Sequence, residues 1–245
     1  IIGGFAFLND SANAAGIAVV HSLFNIGTVL VLYPFGDKLV KLAQLTIPDH
    51  VGETEEKPDE LAVLDERFLE KPAFAMELCR NAAVRMAQES RDALHLALDN
   101  VTMYSESRVA KIIEMEESVD RYEDALGTYL VKLNNCDLSQ KDSRTLSILL
   151  HCIGNFERIS DHAVNITDSS TQMHEKKLKF SKKAMEELKV FSDALCDIVD
   201  ETMEAFTMND LDKARQIEPF EQVIDSLNIE LKQRHIHRLR KGKCT

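Results

Sequence analysis

The 245-residue chain has no tryptophan, only nine glycines and five prolines, and just 6% aromatic residues. So few turn formers argue against a sandwich or barrel of short strands. Cysteine is sparse as well: the five are odd in number and none lies in a Cys-x-x-Cys, which excludes a disulfide framework or a zinc ribbon and suits a reducing compartment. Positive charge is in deficit, with 29 Lys and Arg against 41 Asp and Glu, a net charge of −12. That balance lacks the basic face of a nucleic-acid binder. No P-loop, Gly-x-Gly-x-x-Gly, nucleophile elbow or Glu-x-x-His is present, so nothing argues for catalysis. What remains in abundance is Ala, Leu, Glu and Lys, the residues of helices, and a hydrophobic fraction of 44% that can support a core.

Charge is unevenly placed. Residues 12–35 carry no formally charged side chain, and as a helix these 24 residues would cover about 36 Å, enough for a bilayer core of about 30 Å. They predict one transmembrane helix whose polar interruptions, His21, Ser22 and Asn25, face other helices rather than lipid. Lys38 and Lys41 follow, which by the positive-inside rule puts the C-terminal side in the cytoplasm. Residues 46–71 read as an acidic linker, with Leu61, Val63, Leu64, Phe68 and Leu69 able to dock part of it onto a neighbour. The chain starts with Ile1, ends Lys-Gly-Lys-Cys-Thr and shows no signal peptide, as expected of an internal piece of a longer protein.

From Pro72 onward the periodicity is helical. It predicts helices over 72–98, 106–133, 139–170, 181–207 and from 210 into the 230s. Ser139-Gln-Lys-Asp is a capping-box-like start, and Pro219 is expected to kink or restart the last helix. Long amphipathic helices with short connections imply an all-α antiparallel bundle.

Certain acids stand where a core should be. Glu116 and Asp120, Glu157 and Asp161, and Glu221 and Asp225 each form a Glu-x-x-x-Asp pair on or against the apolar seam of a helix. Carboxylates at i and i+4 repel, and burying them without compensation is costly. A hard cation held by oxygen ligands from facing helices would relieve that cost. A solvated acidic stripe, or pairing with Arg121 and Arg158, would relieve it equally. His162, beside Asp161, is more simply a surface residue, and His235 and His237 lie in a basic helix end that suits the negative pole of the dipole.

The run Asn155-Phe-Glu-Arg-Ile-Ser-Asp-His-Ala-Val-Asn-Ile166 resembles the signature helix of PhoU-like domains, usually LERIGDHAxNI, with Ser160 in place of the usual Gly. Glu116-Glu-Ser-Val-Asp120 and Glu221-Gln-Val-Ile-Asp225 resemble that family's E-x-x-(V/I)-D helices. The resemblance implies a complete three-helix repeat over 72–172 and two helices of a second over 178–245. It also implies that the three acidic pairs bind a divalent metal or iron, with the pair of the missing sixth helix absent. Ala18-Val-Val-His-Ser-Leu-Phe-Asn25, with Pro34-Phe35, looks like the last membrane helix of bacterial sodium/phosphate cotransporters. That likeness implies residues 1–45 as the end of a symporter domain in the inner membrane and a cytoplasmic PhoU-like domain that regulates it. Sodium would be the coupling ion, phosphate the cargo, and the lipid bilayer and the upstream transporter domain the partners, with no nucleic acid. The rival readings are a PhoU-type phosphate-signalling adaptor with a membrane anchor and, further off, a carboxylate-bridged metal enzyme. A groove lined by Leu188, Leu195, Val199, Ile217, Ile224 and Leu231 is expected to stay open and to favour self-association.

Overall fold

The computed structural model describes residues 14–35 and 60–242. The chain divides into two compact units, residues 1–58 and 59–245. In the first, α1 (Ala14–Leu32) ends in a 3-10 turn at Tyr33–Phe35, where Pro34 stops the helix. In the second, 3-10 turns at Glu60–Val63 and Glu66–Glu70 lead into α2 (Pro72–Thr102), α3 (Glu106–Leu133), α4 (Gln140–Glu175), α5 (Lys182–Met208) and α6 (Leu211–Arg240). There is no strand among the described residues.

Two expectations fall on the first unit, and both are corrected. Among the described residues no helix is long and apolar enough to cross a membrane, so the transmembrane helix and the inner-membrane location are not upheld. The helical run has 19 residues rather than 24, a length of about 28 Å, and His21, Ser22 and Asn25 interrupt it. His21 and Asn25 are exposed, as are the apolar side chains Leu23, Phe24 and Leu30 around them.

In the second unit α2, α3 and α4 form a three-helix bundle, and α5 packs on α2 while α6 packs on α5. Helix α2 is the axis. It buries Ala75, Ala82, Ala83, Ala87, Ala93 and Ala97, and side chains this small let three helices approach one backbone. Around it Met86, Val119, Leu126, Leu130, Leu133, Leu149 and Ile153 close the main core. Residues 46–59 of the acidic segment lie outside the described residues; of the rest, Leu61, Leu64, Phe68 and Leu69 pack on that core, Tyr129 Oη donates to the Asp65 carbonyl at 3.0 Å, and Val63 stays exposed.

The helix ends follow their caps. The Ser139 hydroxyl accepts from Asp142 N at 3.1 Å, the Ser181 hydroxyl from Ala184 N at 3.2 Å, and Asp210 from the amides of Asp212 and Lys213 at 3.0 Å each. Two helices outrun their apolar pattern, α2 to Thr102 and α4 to Glu175. A buried polar clasp explains this: Asn100 Nδ2 donates to Ser170 Oγ at 3.0 Å, Ser170 Oγ to the Thr167 carbonyl at 2.8 Å, and Asn100 Oδ1 accepts from Ser105 N at 2.8 Å. Pro219 does not divide α6. It is exposed, so water can serve the Arg215 carbonyl that the proline leaves without a donor.

The groove residues are mostly half-buried: Ile224 is buried, and Leu188, Leu195, Val199, Ile217 and Leu231 are intermediate. Ser160 is fully buried and its hydroxyl has no hydrogen-bond partner.

Two substitutions test this account by urea unfolding. Asn100→Ala removes a fully buried group with two bonds and leaves Ser105 N without its acceptor, so it should destabilise by about 2–3 kcal/mol. Ser160→Ala removes an orphaned hydroxyl and should stabilise by about 1 kcal/mol.

Candidate functional site: an acidic seam between two helices

The Glu116/Asp120 pair lies on α3 and the Glu157/Asp161 pair on α4, two helices that pack against each other. On α4 the buried strip is Leu146, Leu149, Ile153, Phe156, Ser160, Ala163, Thr167 and Ser170. The seam expected through Leu150, Glu157 and Asp161 is therefore rotated by about one position: Leu150 is exposed, and Glu157 and Asp161 are half-buried at the edge of the core. On α3, Glu116 is half-buried and Asp120 exposed beside the buried Val119. Carboxylates take the edge rather than the strip because water still reaches them there.

The four acids of these helices share one electrostatic environment. Burial, and then the charges of Asp120, Asp161 and Glu117, raise Glu116 above its ordinary value of 4.5. Burial and the charges of Asp161 and Asp124 raise Asp120 above 3.8. Glu157 is raised by burial, by the charge of Asp161 and a hydrogen bond to it, and by the charges of Asp120 and Glu123. That hydrogen bond favours the protonated form of Glu157, since only then can it donate to Asp161. No ion pair joins Arg121 or Arg158 to these acids among the described residues, and both arginines are exposed.

The third pair stands apart. Glu221 and Asp225 are exposed on α6, whose main packing is against α5. Among the described residues no three His, Cys, Asp or Glu side chains are grouped closely enough to hold a metal ion as they stand. The donor chemistry of the α3–α4 seam nevertheless suits a hard cation: it is all carboxylate oxygen, in mutual repulsion and without a basic partner. An ion there would be held by Glu116, Asp120, Glu157 and Asp161 once their side chains turned toward one another.

Glu117, Glu123 and Asp124 also feed the field of the seam. Their i+1, i+3 and i+4 offsets from Asp120 or Glu116 were the signal available in the sequence. A second feature had no such signal: His95 Nε2 stands 3.2 Å from Asp200 Oδ1 where α2 meets α5.

Carboxyls that bind protons more tightly when folded reverse the usual acid response. Above the raised values both states are ionised and the folded state bears the full repulsion. As pH falls toward 4.5 and 3.8 the native seam takes up protons first, so its contribution to stability grows and is complete below those values. Glu157→Gln should therefore be more stable than the wild type at pH 8, and the difference should shrink at pH 5. Urea midpoints at the two pH values read this directly.

The PhoU domain family matches residues 83–169, from the first third of α2 to most of α4. A curated relative, the phosphate-specific transport system accessory protein PhoU homolog 1 of Thermotoga maritima, is 24% identical over 158 residues, covering 63% of this chain and 66% of the relative. The chain thus spans just under two thirds of that protein's length. No solved structure matches the chain. Neither match is to a sodium/phosphate cotransporter, so the symporter part of the sequence expectation has no support. The three-helix bundle that carries both acidic pairs coincides with the matched segment, and a PhoU domain is present in this chain.

Proposed function

We propose that this protein is a regulatory accessory factor of a phosphate-response system, acting by binding rather than by catalysis, and that its α3–α4 acidic seam is where it responds to a hard divalent cation. The observation that carries the reading is the placement of two carboxylate pairs on facing helices of the PhoU domain, with mutual repulsion and no arginine partner. The name of the Thermotoga relative supports the phosphate connection.

A bound cation would cancel the repulsion that raises Glu116, Asp120 and Glu157, and so would pull α3 and α4 together at mid-length. Mn²⁺, Mg²⁺ and iron fit a set of oxygen donors better than soft metals do. Binding to the folded state alone stabilises by about 2.7 kcal/mol at a hundredfold excess over Kd.

Thermal unfolding with and without MnCl₂, together with metal content after dialysis, tests this. Manganese should raise the Tm of the wild type by several degrees. Asp120→Asn with Asp161→Asn should abolish the rise and lower the retained metal. A Tm indifferent to every divalent cation tried, in a wild type that retains no metal, would leave the seam an ordinary solvated stripe.

A further inference from the structure

Helices α4 and α5 both pack on α2 and, beyond the edge-to-face contact of Phe156 with Phe206, hardly touch each other. The gap between them is a cleft of about 610 Å³, with Leu94 at its floor, Ile159, Ile166 and Met173 along α4, and Leu195 and Val199 on α5. Apart from the exposed His162, its polar groups are engaged with backbone. Asn165 Nδ2 donates to the Asp161 carbonyl at 2.9 Å, Ser169 Oγ to the Asn165 carbonyl at 2.9 Å, and Ser170 Oγ to the Thr167 carbonyl at 2.8 Å. With those donors spent, the cleft offers an occupant mainly apolar contact, the His162 imidazole aside. From Ile159 to Met173 it runs about 21 Å along α4, the length of four helical turns.

One end of this cleft is charged. The turn after α4 and the start of α5 carry Lys176, Lys177, Lys179, Lys182 and Lys183, five lysines in eight residues of a chain whose net charge is −12. All five are exposed, and none is ion-paired with a described residue. Lys182 and Lys183 also occupy the first turn of α5, where the helix dipole already places positive potential and a cation is disfavoured. Between the lysines, Phe180 lines the cleft and Leu178 is exposed. The turn itself is fixed: Lys177 takes φ 54°, Leu178 N donates to the Met173 carbonyl at 2.9 Å and Lys177 N to the His174 carbonyl at 3.0 Å. Tyr104 stacks on His174 with ring centroids 4.0 Å apart.

We propose that the cleft between α4 and α5, with the lysine turn at its end, is a docking site for an amphipathic helix of a partner protein that bears acidic residues at one end. The partner's apolar stripe fills the cleft over about four turns, and its carboxylates meet the lysines and the α5 N-terminus. A helix-in-groove mode needs these two parts, a preformed apolar trough and a charged end that fixes the direction of the helix. The site lies on the flank of α4 opposite Glu157 and Asp161, and the proposal does not depend on the seam binding a metal.

The test uses the full chain and a fluorescein-labelled 16-residue amphipathic peptide, leucines at i, i+3, i+4 and i+7 and four glutamates at one end, beside a twin with lysines for the glutamates. Fluorescence anisotropy at 50 and 300 mM NaCl should show the acidic peptide binding at least tenfold more tightly than its twin at low salt, with the advantage shrinking at high salt. Lys179→Glu with Lys182→Glu and Lys183→Glu should weaken the acidic peptide at least tenfold. These side chains are exposed and two of them sit against the helix dipole, so the variant should keep at least the wild-type Tm, and Val199→Glu, which blocks the trough, should weaken both peptides. Equal binding of the twins, or no effect of the triple variant, would overturn the proposal. It would also fall if the lysines mattered only for binding vesicles of phosphatidylglycerol, or if a second copy filled the cleft, seen as dimerisation that excludes the peptide.

Discussion

The width of α2 governs the rest of the second unit. Six buried alanines on that helix set how closely α3, α4 and α5 can stand to a common axis. Larger residues would have pushed the neighbours outward, and α3 and α4 would no longer meet along the line that carries the acidic pairs. The seam is therefore a consequence of small residues elsewhere. Glu116 and Asp120 feel the charge of Asp161 across the seam because the helices that carry them pack side by side on α2. Where the alanines stop, at Asn100, a polar clasp takes over and ties the α2–α3 turn to α4 through Ser170.

Much of this was legible in the sequence because helix ends are written in local chemistry. Glu106–Leu133 is the span read from periodicity, and Ser139, Ser181 and Asp210 act as the caps their side chains suggest. The ends that ran long did so for a reason hydropathy cannot register. Asn100, Thr167 and Ser170 look like surface residues, yet they are buried because they satisfy one another or the helix backbone. The seam was legible in its residues but misplaced by about one position, since Leu150 and Leu149 are indistinguishable by type and only the packing on α2 selects Leu149. Apolar composition does not mark where α1 ends, but Pro34, a helix breaker in the sequence, does. The apolar composition continues to Phe35, whereas the α-helix stops at Leu32, ahead of Pro34.

The joint between the bundle and the α5–α6 hairpin was not legible at all. It consists of few contacts of varied kind. Arg80 donates to the Thr207 carbonyl at 3.0 Å, His95 faces Asp200, and Phe206 meets Phe156 edge to face with centroids 5.0 Å apart. Each joins residues more than 45 positions apart, and none belongs to a repeating pattern. The hairpin buries little of its own: Met203 and Ala205 on α5 and Ile224 on α6. Ion pairs bind its two helices at both ends, Lys213 with Glu201 and Glu204, and Arg238 with Glu187. A substructure with so few fully buried apolar contacts belongs to the low end of local stability, so it should open more readily than the bundle beneath it.

This contrast gives α4 a particular position. Its buried strip runs along one face, Glu157 and Asp161 lie on one flank of that strip, and Ile159, Ile166 and Met173 lie on the other. At 100° per residue the two flanks are nearly opposite, so one rigid helix touches the acidic seam on one side and the apolar cleft on the other. A change in the distance between α3 and α4 that displaces α4 also displaces the wall of the cleft that faces α5. The α5 side packs mainly on α2 and is also tied to α4 where Phe206 meets Phe156.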